Sequence, residues 1–563
     1  MISRLWKNWN RAVSGSANPA FDDLQQEFYQ AWFRFHPEEA ASVGLEACAG
    51  LLKTYDDDDI GALISLNQKM HSALDEIDAE ALDEDRYIDY QLMKSAVSVE
   101  LHDLQELDWR YRNPLAYVPV NAVYQLLIHP VHDVQKAIKH RLQAIPEYLR
   151  GARTLLSQMP DRVVAVWLRS AIEQSEIGAD FIRNLGRHPL VSEKFTNPAR
   201  LQPLFDDASH ALDEFAHFLQ HDIAPLAAGD FAVGKDRFNR LLNENHFLDV
   251  DADAILAFGE KLFADTEAEL QAQAEAIQPG ADFNALLHRI RQQHPAPEQL
   301  LDTYRKRMRE ACKWLHKHDL VTLPDTESLH IQDTPEFLKP LIPFAAYEPP
   351  MPVDKKQRGL YYVTTSDDEA LLAEHNVYSI DLTSVHESYP GHHLQFVTAN
   401  IHHAENMTRS VHASASLYEG WALYCEDLME EQGFLDRKEH RFIMLRDRLW
   451  RALRVIIDVK IHAQGMSFEE ASRLMVEKLG FDQQQADSEL AWYSMAPTIP
   501  LCYATGYELI KAVREYQQQQ DGFELKSFHD ALLKQGSIAL PLVIRRAFGV
   551  NAWNYARSRV FSL

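Results

Sequence analysis

Apolar positions recur every three to four residues over most of the chain, the spacing of amphipathic helices. Phe21, Leu24, Phe28, Trp32 and Phe33 set this pattern first. Similar patterns run from 60 to 320, separated by short breaks such as Arg112-Asn113-Pro114, His129-Pro130 and His188-Pro189. No sequence repeat links them, and none carries a chemical signature by itself. Asp56 to Asp59 form an acidic run that reads as a solvated loop or a helix cap. A loop offering the roughly six oxygens that calcium needs is not evident there.

The texture changes between about 320 and 385, where Pro335, Pro340, Pro343, Pro349, Pro350 and Pro352 cluster. Gly359 to Thr365 (Gly-Leu-Tyr-Tyr-Val-Thr-Thr) is rich in aromatic and β-branched residues and predicts a short strand in a small sheet. An edge strand in this position would pair with an extended peptide. From 381 the pattern is helical again, with Asp381-Leu382-Thr383 offering caps. Arg441 to Gln464 predicts a long helix ended by Gly465. Arg451, Arg454, Asp458 and His462 recur along it at helical spacing, which reads first as a solvated face and second as a ligand-facing one. Residues 497–510 predict a turn followed by a helix start, and further helices follow from Phe528 through Pro541 to Arg545-Arg546.

Residues 386–393 read H-E-S-Y-P-G-H-H, and 418–422 read Y-E-G-W-A. Two imidazoles and a carboxylate from a following helix make a catalytic zinc site, and the Glu beside the first His remains free to accept a proton from an attacking water. The usual spacing is H-E-x-x-H, with both ligands on one helix face. Here the fourth position after His386 is Pro390, and the next histidines stand six and seven residues on. Six residues of straight helix rise about 9 Å, too far for one ion. Pro390 cannot donate a helical hydrogen bond and Gly391 tolerates unusual dihedrals, so the helix is expected to kink or bulge there. On this reading His386 and His392 are ligands, with His393 the alternative to His392. Glu419 and Glu426 lie seven apart on one face of the following helix, among apolar residues where a carboxylate needs a partner.

Composition adds limits. The chain has 563 residues, which on length alone suggests roughly three or four domains. Its low glycine content, 21 residues, and its wealth of helix formers favour one continuous helical body instead. The net charge of −27 argues against nucleic acid and anionic membranes as partners. Cys48, Cys312, Cys425 and Cys502 are scattered without C-x-x-C spacing, as fits a reducing compartment. No signal peptide or membrane-spanning segment is apparent, so the expected location is the cytoplasm.

H-E-S-Y-P-G-H-H-L-Q (386–395) together with Y-E-G-W-A-L-Y-C-E (418–426) resembles the bacterial domain-of-unknown-function 885 family. The likeness covers nearly the whole chain, from Phe21–Gly44 through 497–510 to the Phe-His…Pro-Leu pattern that begins at Phe528. The family is similar to helical zincin metallopeptidases, and its E-G-W-A resembles a stretch of zinc aminopeptidases whose Glu binds zinc. The resemblance implies Glu419 as third ligand and favours His392 over His393. Two departures stand out: Lys460 in place of a Gly in the long helix, and Cys502 in place of a Ser.

Together these readings predict a mainly α, multi-helix zincin-like fold with a small β-sheet beside the metal-binding helix and a long cleft. A lead-in at 1–20 would precede a single body, with a helical scaffold lobe at 21–320 and a metal-site lobe at 321–563. The expected activity is zinc-dependent hydrolysis of peptide bonds in short peptides. One Zn²⁺ would sit on His386, His392 and Glu419, with Glu387 as general base and Tyr503 as oxyanion donor. Tyr361, Tyr362, His393, Arg454, His462 and Tyr507 are candidates for substrate contact. Hydrolysis of a small amide or modified amino acid, or a binding role without catalysis, are the alternatives. Oligomeric state is left open.

Overall fold

The computed structural model describes residues 15–280 and 283–562, so most of the lead-in expected at 1–20 lies outside the described residues. The protein is mainly α-helical, with one three-stranded sheet among the described residues. It divides into two compact units.

One unit is built of residues 15–231 and 351–353. Its first helix begins at Asn18, with Pro19 in the first turn, and buries Phe21, Phe28 and Trp32 along one stripe. Asp56 caps the helix Asp57–Glu76 by accepting from the Asp59 backbone N–H, so the acidic run is a cap. Helices Val134–Leu156 and Ala165–Asn184 both pack on Gln202–Phe218.

The other unit is built of residues 232–350 and 354–562. It contains helices α1 (Ala252–Ile277) and α2 (Leu300–His318), which the sequence pattern grouped with the scaffold. Its sheet consists of β1 (Ser328–Asp333), β2 (Ala345–Glu348) and β3 (Arg358–Val363) in the order β1-β3-β2. β3 runs parallel to β1 and antiparallel to β2. The strand expected at 359–365 is thus the central one, and β2 forms an edge. Ile331, Tyr361 and Val363 bury one side of the sheet against Leu300 and Tyr304 of α2.

The remaining helices that bear on the site are α3 (Val377–Glu387), α4 (His392–His403), α5 (Ala415–Glu431), α6 (Lys438–Ala463), α7 (Gln483–Met495) and α8 (Cys502–Gln518). Asn376, not Asp381-Leu382-Thr383, caps α3, accepting from the Ser379 N–H. Asp381 lies inside the helix and binds Arg307 and His440. α6 packs against α1, α3, α5, α7 and α8. The stripe read as solvated is therefore buried: Arg454, Asp458 and His462 are 6%, 0% and 1% exposed.

Candidate metal centre

The expected kink is a complete break. α3 stops at Glu387, a cis Tyr389-Pro390 bond follows, and α4 starts at His392. Gly391 folds back on the end of α3, its N–H donating to the Val385 carbonyl at 3.1 Å. A Cβ at 391 would lie 1.8 Å from the His386 carbonyl oxygen, so only glycine fits. Trp421 on α5 donates its indole N–H to the Pro390 carbonyl at 2.8 Å, joining the two sequence motifs directly.

This break turns the last turn of α3 toward the first turn of α4. The His386 and His392 rings stand 4.8 Å apart, edge to face. Glu419 enters from α5, its Oε2 lying 3.6 Å from His386 Nε2 and 3.4 Å from His392 Nε2. Ligand atoms of the three residues all lie within 4.8 Å of one another. A tetrahedral zinc with ligands near 2.0–2.1 Å sets its donors about 3.3 Å apart. The set fits one such ion.

The surroundings suit a cation. Glu426, one face-repeat beyond Glu419, accepts from His386 Nδ1 at 2.8 Å and so leaves Nε2 free to coordinate. Burial disfavours a charged imidazole at His386, yet the Glu419 and Glu426 carboxylates override it and push its pKa up to about 10. Burial likewise works against ionised Glu419, but the two histidines hold its carboxyl well below the usual range. Among the described residues the buried His392 Nδ1 has no hydrogen-bond partner. Its ring is held by packing, against Tyr347 at 6.1 Å and Tyr418 at 6.0 Å between ring centroids.

Glu387 is buried beside the set. Burial raises its pKa; the two histidines counteract this, and Glu419 and Glu426 reinforce it. Among the described residues no side chain donates a hydrogen bond to its carboxylate, which leaves it available to an incoming proton donor. Tyr503 faces Glu419 from the start of α8; burial first, then the Glu419 charge, keep its phenol protonated. A backbone approach permits this meeting: a Cβ at Gly420 would come within 2.5 Å of Gly506, and one at Gly506 within 2.1 Å of the Ser416 carbonyl oxygen.

None of the other candidates belongs to the ligand set found among the described residues. His393 Nε2 binds Glu327 at 2.7 Å and its Nδ1 binds the Tyr347 hydroxyl at 3.0 Å, so neither nitrogen is available to an ion. Tyr361 belongs to the core under the sheet, where burial first, then Tyr304 and Glu387, push its phenol up, and Tyr362 is buried on the other face of β3. His462 Nε2 binds the Tyr493 carbonyl. Tyr507 donates to Asp427, away from the candidate ligands. Arg454 binds Tyr493 and Glu489, with its guanidinium 4.7 Å from the centre of the Tyr503 ring. The sequence reading did not include Tyr347, which stacks on His392, or the hydrogen bond of His386 to Glu426. The seven-residue spacing of Glu419 and Glu426 was the available signal for the latter.

The family model described as "Bacterial protein of unknown function (DUF885)" matches residues 37–546. The chain belongs to the DUF885 family. No curated protein matches it. Among solved structures, this DUF885 chain is similar to a candidate lipoprotein of unknown function from Shewanella oneidensis, at 21% identity and a TM-score of 0.74, covering 93% of this chain and 98% of that one. A candidate lipoprotein from Colwellia psychrerythraea matches at 16% identity and a TM-score of 0.79, covering 95% and 99%. These two likenesses show the fold. A carboxypeptidase from Deinococcus radiodurans aligns at a TM-score of only 0.38 and 13% identity, covering 95% and 100%, and carries no argument. No helix among the described residues is long and apolar enough to cross a membrane.

Proposed function

We propose that this DUF885 protein hydrolyses peptide bonds in short peptides with one zinc ion. The observation that carries this reading is a three-donor set spaced for a tetrahedral cation, with the buried Glu387 carboxyl group beside it. His386 Nε2, His392 Nε2 and the Glu419 carboxylate would hold the ion. A zinc ion there would supply Lewis acidity toward the scissile carbonyl and would bring the attacking water's acidity near neutrality.

Glu387 accepts the proton of the attacking water and delivers it to the leaving amine. Tyr503 donates its O–H to the oxygen that gains charge. Glu426 holds the His386 ring in its coordinating tautomer. β2 supports a peptide as substrate. The Thr364 N–H donates to the Phe344 carbonyl, so alternation along the antiparallel pair turns the N–H and C=O of Ala345 and Tyr347 to the outer edge. An extended chain can pair there, and Tyr347 already stacks on His392.

Glu387→Gln is expected to retain stoichiometric zinc and to lose hydrolysis of a fluorogenic peptide library by about 100-fold or more. Equal turnover by the variant and the wild type would refute the assignment.

A further inference from the structure

Asp458 is fully buried in α6 and is not among the residues proposed above for chemistry. Its Oδ1 accepts the Thr498 backbone N–H at 3.2 Å, and the carboxyl group also accepts the Leu501 backbone N–H. Both donors belong to the turn that leads into α8, whose second residue is Tyr503. Thr498 has φ +69°, a left-handed conformation that a β-branched residue adopts only when its surroundings enforce it.

Those surroundings are specific. His246, itself buried, places Nε2 2.9 Å from the Thr498 hydroxyl. The Cys502 thiol donates to the Thr498 carbonyl at 3.2 Å and lies 3.6 Å from His246 Nδ1. Cys502 thus ties its own turn together where relatives are expected to carry a Ser. One helical turn before Asp458, the Arg454 guanidinium stacks on the Tyr503 ring. A single face of α6 therefore holds both the ring of Tyr503 and the turn that delivers it. A turn built only to start a helix does not require a strained threonine, a buried carboxyl group and a buried imidazole.

We propose that Asp458, backed by His246, is a positioning residue: it locks the Thr498–Leu501 turn and thereby sets where the Tyr503 phenol stands against the metal centre. The inference rests on the hydrolase reading and on the part given there to Tyr503.

The test compares zinc-loaded full-length Asp458→Leu, Asp458→Asn, Tyr503→Phe and the Asp458→Leu/Tyr503→Phe double variant. Zinc content and hydrogen exchange of amides 498–503 are read beside kcat and KM on fluorogenic peptides. Asp458→Leu is expected to keep its zinc, to speed exchange at 498–503 and to lower kcat about tenfold or more with little change in KM. Asp458→Asn, which keeps an acceptor oxygen, recovers most of that loss, and the double variant is no slower than Tyr503→Phe. Unchanged exchange at 498–503, or losses that multiply in the double variant, overturns the proposal. Should Asp458→Leu fail to fold, Thr498→Ala, which removes the hydroxyl facing His246, must show the same directions or the proposal falls. If zinc-loaded wild type cleaves no peptide, the hydrolase reading fails while the exchange data still decide whether Asp458 holds the turn.

Discussion

The indole nitrogen of Trp421 donates a 2.8 Å hydrogen bond to the carbonyl oxygen of Pro390. Through this bond α5, which carries Glu419, is fastened to the break that separates His386 from His392. The distance between the third candidate ligand and the first two is therefore set by a buried contact, independently of any ion.

Trp421→Phe removes the donor and leaves the Pro390 carbonyl buried without it. A loss of about 1–3 kcal/mol in unfolding free energy is expected, read by urea titration, together with weaker zinc binding in chelator competition. Unaltered zinc affinity would mean that this contact does not set the ligand geometry.

Glu426→Gln tests the orientation of His386. The amide can still accept from Nδ1, but it lacks the charge that makes the imidazole a stronger ligand. Zinc affinity should fall about 10- to 100-fold, with kcat per zinc-loaded molecule changing less. An affinity equal to wild type in chelator competition would show that Glu426 does not tune the site.

The fold predicts how stability depends on pH. His246, His375 and His529 are buried, and burial lowers each pKa from 6.5 to about 4. His375 stays neutral between the Tyr304 hydroxyl and the Thr364 carbonyl, and His529 between Tyr424 and the Leu320 carbonyl. Between pH 6.5 and about 4 the unfolded chain binds protons at these positions that the folded chain excludes. Their stabilisation is therefore complete above pH 6.5 and declines as pH falls toward 4. Thermal melts should show a falling midpoint across this window. A midpoint that stays level from pH 7 to 4.5 would rule out neutral buried histidines as a source of acid sensitivity.

Helical class, the small sheet and the two motif segments were legible because they are local signals. Helical spacing, a proline cluster and H-E…P-G-H need no partner to be recognised. Three features escaped for physical reasons. α6 is buried on nearly all sides, so the rule that charged stripes face solvent fails for Arg454 and Asp458, whose partners on α7 and the 498–501 turn lie about 40 residues away. β2 reads Ala-Ala-Tyr-Glu and lacks the β-branched residues that reveal a strand, so sequence pattern alone gives the edge position to β3, which is central. His393 is held by Glu327, 66 residues earlier, a pairing that spacing cannot disclose.

Anomalous scattering at the zinc edge from crystals of zinc-loaded protein would locate the ion outright. The expectation is one peak about 2.0–2.2 Å from His386 Nε2, His392 Nε2 and a Glu419 oxygen. Fully loaded crystals with no peak among these three side chains, or with the zinc at other residues, would contradict it.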